Sequence, residues 1–153
     1  MGIRMATPMI EVNAYLKAEA ERIQRQTIRA LAYLGEQCVR LARDRSPELS
    51  WIDRTGNLRS SIGYIITYNG NIVQYSGFQQ VKQGSEGTKT GKDFATEMAK
   101  QFSNEYVLVV VAGMNYAEYV EAKDNKDVLA TPELFANKEL PKMFERLKKQ
   151  IAS

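Results

Sequence analysis

The stretch Trp51–Ile62, WIDRTGNLRSSI, lies where a long helical pattern ends and a run of β-type residues begins. Asp53, Thr55 and Asn57 are turn and cap formers, because their short polar side chains can bond nearby backbone N–H groups. We therefore predict a corner in which a short helix is capped at Thr55 or Asn57 and the chain then enters a sheet.

Four side chains of this corner indicate which way it faces. Leu58 and Ile62 are four residues apart, so one helical turn places both on the same face, where we expect them to be buried. Arg54 and Arg59 would then point outward. Such signals are typical of helix starts in general, so a corner with a purely structural role is an alternative.

The composition is that of an ordinary globular protein. The chain has 153 residues, of which 44% are hydrophobic and 25% charged, and these values exclude a disordered chain. The longest apolar run, Val107–Ala112, is too short to span a membrane, and residues 1–8 lack the apolar core of an export signal. We expect a single domain over residues 1–153 that stays in a cytoplasm and has no membrane partner.

The residue types present exclude most familiar catalytic sites. The chain has no histidine and one cysteine, Cys38, which lies on the apolar stripe of a helix and is expected to be buried. Histidine-bearing nucleophile pairs and zinc sites are therefore excluded, as is a site made of several thiolates. We predict no catalytic residue, no cofactor and no metal.

Five carboxylates leave a small metal-dependent enzyme as an alternative, because carboxylate oxygens are the ligands that Mg²⁺ prefers. They are Glu105, Glu118, Glu121, Asp124 and Asp127.

Charge is distributed unevenly along the chain, although the net charge is only +3. Met9–Arg45 has seven Lys and Arg against five acids, and Glu133–Ser153 has five against three. Glu105–Asp127 has five acids against two bases. This polarity favours head-to-tail association of copies over binding of nucleic acid, which needs a strong basic face. A non-specific nucleic-acid-binding protein is the other alternative.

Met9–Arg45 is predicted to form one long helix that ends before the proline of Ser46-Pro47. Its mostly apolar residues recur by threes and fours and so form one stripe. They are Leu16, Ala20, Ile23, Thr27, Ala30, Leu31, Leu34, Cys38 and Leu41. Five arginines lie mostly off the stripe. They form either a solvated face of the helix or a surface that contacts other copies or DNA. They are Arg22, Arg25, Arg29, Arg40 and Arg43.

The next two elements differ sharply in composition. Gly63–Phe78 predicts an antiparallel hairpin, since Asn69-Gly70 between two β-type runs favours a type I′ turn. Gln79–Lys92 contains three glycines, and Gly77 lies just before it, so this segment predicts a flexible loop. It contains no phosphate-binding motif. Asp93–Phe102 predicts a short amphipathic helix with an apolar face of Phe94, Met98 and Phe102, so the arm or loop as a whole covers about 79–103.

The last part of the chain predicts two strands and a helix. Glu105–Ala112 is the clearest strand, and its unbroken apolar run indicates that both faces are covered, one by the long helix and one by a partner or loop. Val128–Thr131 is predicted as a short edge strand. Glu133–Ile151 is predicted as a helix that Pro141 splits. The expected fold is α+β, with a small antiparallel sheet of three to four strands packed by a long N-terminal helix and a C-terminal helix.

Two segments carry a family resemblance. Thr55–Ile62, TGNLRSSI, resembles the TG-x-LR-x-SI corner of phage neck proteins. Val111–Glu121, VAGMNYAEYVE, resembles their strand that ends in Gly and turns into Tyr-Ala-x-Tyr-Val-Glu. These are the head–tail connector or tail-completion proteins, similar to the minor tail protein Z of lambda. The two segments occur in the family's order, after a long helix and around a hairpin.

The resemblance implies a virion structural protein at the head–tail junction, which assembles without catalysis into a homo-oligomeric ring. Its partners would be other phage neck and tail proteins, with DNA passing through the pore without sequence specificity. For the contact between copies we expect Glu118, Glu121 and Asp124 on the acidic side, and Arg54 and Arg59 or the basic face of the first helix on the other.

Overall fold

The computed structural model describes residues 2–4, 6–44, 51–103, 105–115, 117 and 127–153. In chain order its elements are α1 (Met9–Arg43), α2 (Asn57–Ser60), β1 (Ile62–Tyr68), β2 (Asn71–Gly77), α3 (Ser85–Ala99), β3 (Tyr106–Ala112) and α4 (Ala130–Ala152). The α+β fold predicted from the sequence is confirmed, with the long N-terminal helix, the antiparallel sheet and the C-terminal helix all present.

The sheet has the strand order β2-β1-β3, and both pairings are antiparallel. The predicted hairpin is confirmed, because Asn69 and Gly70 link β1 to β2 with φ values of 50° and 80°. These positive values are those a type I′ turn needs. A register shift between Ile66 and Thr67 marks a β-bulge against β2.

One face of the sheet is covered by α1, with α4 packed beside α1. The two helices are antiparallel, since Arg22 Nη2 donates to the carbonyl oxygen of Ile151 at 2.9 Å while Cys38 Sγ lies 3.7 Å from that of Pro132. The main core lies in this layer. Its most buried side chains are Leu34, Cys38, Val39, Ala42, Trp51, Leu58, Ile62, Tyr64, Ile66, Val128 and Met143.

The other face of the sheet is covered by α3, which also packs against α2. The helix begins at Ser85, so the loop expected over Gln79–Lys92 is wrong for its second half. Its buried residues recur every four positions and are Gly87, Gly91, Ala95 and Ala99. These residues have small side chains or none, so the helix backbone can lie very close to β1 and α2.

The apolar face predicted for Asp93–Phe102 is also wrong, because Phe94 and Phe102 are 44% and 46% exposed and Phe102 lies beyond the end of α3 at Ala99. The same packing corrects the interpretation of β3, whose second cover is α3 of the same chain and not a partner or loop. In a loop, glycines indicate flexibility, but in α3 they allow close contact between the helix and the sheet. The local sequence pattern does not distinguish these two roles.

The C-terminal region differs from its prediction in two ways. Residues 128 and 129 are not a strand, and the helix starts at Ala130, where the carboxylate of Asp127 accepts the Thr131 N–H at 3.0 Å. Pro141 does not split the helix, which runs on to Ala152. Proline has no N–H, so the carbonyl oxygen of Asn137, four residues earlier, loses its helical hydrogen bond. Asn137 and Pro141 are both exposed, so water can donate to that oxygen instead.

Candidate interaction surfaces

The corner Trp51–Ile62 is built around the carboxylate of Asp53. Its Oδ1 accepts the N–H of Gly56 at 2.9 Å and its Oδ2 accepts that of Arg59 at 2.8 Å. Asp53 therefore satisfies backbone donors at the start of α2 that would otherwise lack a partner. Thr55 Oγ1 accepts the N–H of Asn57 at the longer distance of 3.3 Å. The corner is confirmed, but the main cap is Asp53 and not Thr55 or Asn57.

The corner places its two arginines differently. Arg54 is exposed, as expected. Arg59 is half-buried, and its guanidinium lies 5.0 Å from the centre of the buried Trp51 ring, within the range of a cation–π contact. The expectation that both arginines point outward is therefore wrong for Arg59, because its guanidinium lies over the Trp51 ring, whose π-face attracts a cation.

Arg59 lies at one side of a cleft of about 470 Å³, which we call the basic cleft. Its charged lining residues are Glu36, Arg40, Arg43, Asp44 and Arg59. Burial is the main cause that lowers the pKa of Arg43; Asp44 opposes this shift and the positive charge of Arg59 adds to it. Three arginines thus face two acids, and the surplus of positive charge suits an acidic partner.

Sequence reasoning placed Arg40 and Arg43 on the basic face of the first helix but did not join them to Arg59. Arg43 Nη2 donates to the carbonyl oxygen of Gln79 at 3.0 Å, which joins the helix end to the segment after β2 that also lines the cleft. The only local signal for this cleft is the spacing of three between Arg40 and Arg43 at the helix end.

The expected acidic side of the contact, Glu118, Glu121 and Asp124, lies outside the residues that the structure describes. The pairing of these acids with Arg54 and Arg59 therefore stays a prediction. The sequence Met114–Glu121 also predicts a helical face that holds Tyr116, Tyr119 and Val120, and these three residues lie outside the described residues as well.

A second basic surface lies between α1 and α4. It is a groove of about 620 Å³, which we call the α1–α4 groove. Arg22, Arg29 and Arg146 line it, and Tyr33, Met143 and Leu147 provide apolar surface. In the described part of the chain, Arg29 and Arg146 form no ion pair, whereas Arg22 pairs with Glu19 at 3.1 Å.

Two further observations bear on function. Among the described residues, no group of three or more acidic or cysteine side chains could hold a metal ion. None of the helices formed by these residues combines the length and the apolar character that a membrane span requires.

Comparison with known proteins gives one match. The family model described as "Bacteriophage HK97-gp10, putative tail-component" matches residues 10–122, which is well over half of the chain. Neither the curated proteins nor the solved structures contain a significant match. The match includes both Thr55–Ile62 and Val111–Glu121 and confirms the resemblance that they carry. The chain therefore belongs to the HK97-gp10-like family of bacteriophage tail components.

Proposed function

We propose that this tail component is a structural subunit of the phage neck, which assembles without catalysis into a ring that joins the capsid-side connector to the tail. The observation that carries the proposal is the family match over residues 10–122. The neck as its place in the virion is supported by the tail-completion pattern of Thr55–Ile62 and Val111–Glu121.

The sheet offers two different edges for contact between copies. Within the described ranges, β2 and β3 each pair with β1 alone, so their outer edges can accept a further strand. A contact between β2 of one copy and β3 of the next joins two different surfaces. Such a heterologous contact closes into a ring when the rotation per copy divides a full turn.

Side chains on β2 support this role for the edge. Ile72 is 48% exposed and Tyr75 is 60% exposed, and both border a groove of about 160 Å³ beside α3. Lys92 Nζ lies 5.4 Å from the centre of the Tyr75 ring. Burial of this surface against a second copy removes apolar area from water, which is the main favourable term in protein association.

Charge gives the contact a direction. The basic cleft offers Arg40, Arg43 and Arg59 on one side, and we propose Glu118 and Glu121 with Asp124 as the acidic side on the next copy. Opposite charges on two surfaces raise the rate of association and disfavour wrong orientations. Arginines that face a central pore would contact DNA phosphates weakly and without sequence preference.

Deletion of the gene from the phage that carries it tests the proposal, with electron microscopy of the lysate as the measurement. We expect DNA-filled heads and separate tails in place of joined virions, and restoration of virions when the wild-type gene is supplied in trans. Joined virions at an unchanged infectious titre would contradict the proposal.

A further inference from the structure

The N-terminal part of α1 extends beyond the helix that it packs against. Arg22 bonds the carbonyl oxygens of Gln150 and Ile151, in the last turn of α4. The residues before it, Met9–Glu21, thus run on past the end of α4 for about 20 Å at the helical rise per residue. We call Met9–Glu21 the helical arm.

The helical arm carries apolar surface that nothing in the described chain covers. Met9, Ile10, Tyr15 and Leu16 are 58%, 78%, 66% and 58% exposed, and no residue of the arm is buried. Leu16 precedes Leu34 by about five full helical turns, so the two side chains lie on the same face of α1. Leu34 is 5% exposed and belongs to the core. The core-forming stripe therefore continues onto the arm without a partner.

The α1–α4 groove matches the arm in length. Along α1 it runs from Arg22 to Tyr33, which is about 17 Å at the helical rise. The arm is about 20 Å long by the same measure. Tyr33 is 64% exposed, so the groove presents apolar surface to an incoming helix in addition to its arginines.

The groove also matches the arm in charge. The arm has three acids, Glu11, Glu19 and Glu21, against the single base Lys17. The groove has Arg29 and Arg146, which form no ion pair in the described part of the chain, and Arg22, whose partner Glu19 belongs to the arm of the same copy. Helix-in-groove recognition uses this combination of an apolar face and complementary flanking charges.

We propose that the helical arm of one copy docks in the α1–α4 groove of a second copy of this chain. Leu16 and its apolar neighbours would pack on the exposed ring of Tyr33, beside the buried Met143 and Leu147 that also line the groove, while the acids of the arm would face Arg29 and Arg146. The contact is heterologous, since arm and groove are different surfaces, and each copy offers both. This inference deepens the proposed function, because it names a surface through which copies associate.

Mixing of two variants tests the proposal. The arm variant carries Ile10→Asp and Leu16→Asp, and the groove variant carries Arg29→Glu and Arg146→Glu. We expect each variant alone to self-associate with a Kd raised about tenfold or more over that of the wild type, as measured by sedimentation velocity. An equimolar mixture should form a 1:1 heterodimer, because the intact arm of the groove variant can enter the intact groove of the arm variant.

Matched controls separate this contact from general effects of charge. Leu134 is 71% exposed and lies outside the helical arm, the α1–α4 groove and the basic cleft, so Leu134→Asp should leave self-association unchanged. Lys89→Glu with Lys138→Glu reverses two exposed charges outside the groove and should also leave it unchanged. Circular dichroism should give the wild-type spectrum for every variant.

Three results would overturn the inference: self-association of the arm variant with wild-type affinity, a mixture that stays monomeric, or a wild-type chain that is monomeric at all concentrations. None of these touches the deletion experiment, in which joined virions would contradict the neck function itself.

Discussion

Gly91 of α3 lies directly against the backbone of Ser61, at the start of the sheet. A Cβ atom at position 91 would come within 2.5 Å of the Ser61 carbonyl oxygen and 2.8 Å of the Phe78 ring. Real Cβ atoms essentially never approach other atoms so closely, so any side chain here forces the helix away from the sheet. The absence of a side chain at Gly91 thus sets the distance between α3 and the sheet.

Gly91→Ala should destabilise the protein by about 2 kcal/mol, as is typical of overpacking in a close contact. The sign is informative, because glycine to alanine inside a helix stabilises by about 1 kcal/mol where there is space. The measurement is the free energy of unfolding by urea. Lys89→Ala is the control, since Lys89 is exposed on the same helix and its loss should change stability little. A stabilised Gly91→Ala variant would show that α3 does not pack as described.

Asp53→Ala should destabilise the corner by about 1–2 kcal/mol, because the N–H groups of Gly56 and Arg59 lose their shared acceptor. Thr55→Ala is the matched variant. It should cost less, since its bond to the Asn57 N–H is long, at 3.3 Å. Equal effects of the two substitutions on the unfolding free energy would contradict the capping role of Asp53.

The corner and the hairpin could be predicted from sequence because their signals are local. Asn69-Gly70 predicts a type I′ turn because that turn needs positive φ at both positions. The spacing of four between Leu58 and Ile62 predicts that both side chains are buried on one face. The helix α3 could not be predicted in full, because its glycines lower intrinsic helix stability by about 1 kcal/mol each. They are compatible with a helix only through contact with α2 and β1, which are distant in sequence.

The alkaline limit of stability should depend on Tyr64. Its hydroxyl donates to Glu36 Oε1 at 3.1 Å and accepts from Gln74 Nε2 at 3.2 Å. Burial, and then the negative charge of Glu36, raise the pKa of Tyr64 above its usual value near 10. The unfolded chain therefore loses this proton first, so Tyr64 contributes stability fully below about pH 10 and loses it as pH rises through the folded-state pKa.

Tyr64→Phe tests this dependence and keeps the ring that packs on Gly35. At neutral pH the variant should be less stable by about 1 kcal/mol, for the lost hydrogen bonds. The difference in unfolding free energy between wild type and variant should shrink as pH rises above 10, while the other tyrosines cancel in the comparison. A difference that is constant from pH 8 to 11 would contradict the assignment.

The thiol of Cys38 should be protected in the folded chain. Cys38 is 1% exposed between α1 and α4, and burial raises the pKa of its thiol. The raised pKa lowers the thiolate fraction and the low exposure blocks the reagent, so an aromatic disulfide reagent should react about a hundredfold or more slowly with the native chain than with the chain in denaturant. Rapid labelling without denaturant would contradict the packing of α1 on α4.

Arg40→Glu should weaken self-association, because it reverses one charge in the basic cleft. We expect a several-fold higher Kd and a weaker dependence of association on salt. Lys138→Glu is the control, since Lys138 is exposed and lies outside both the basic cleft and the α1–α4 groove. Light scattering at several salt concentrations gives both quantities.

A charge exchange adds a direct test of the acidic side. Glu118→Lys with Glu121→Lys should also weaken association, and combining this change with Arg40→Glu should restore part of it. If the variant with both Glu118 and Glu121 replaced associates as the wild type does, these residues do not take part in the contact.

The candidate surfaces were less accessible to sequence reasoning than the fold. The polarity of charge along the chain predicts association, and Arg54 is exposed as expected. The basic cleft joins Arg43 of α1 to Arg59 of the corner, and the Arg59 guanidinium lies over the Trp51 ring; helical spacing indicates neither contact. Likewise, the stripe on α1 predicts one buried face, but only the length of α4 shows that Leu16 is left exposed.

The most direct test of the neck function is immunogold electron microscopy of purified virions with antibodies against this chain. If the chain is a neck subunit, gold should lie at the junction between head and tail in wild-type virions and be absent from virions of a phage that lacks the gene product. Label distributed along the tail tube or at its distal tip, or unlabelled virions from a lysate that contains the protein, would contradict the neck function.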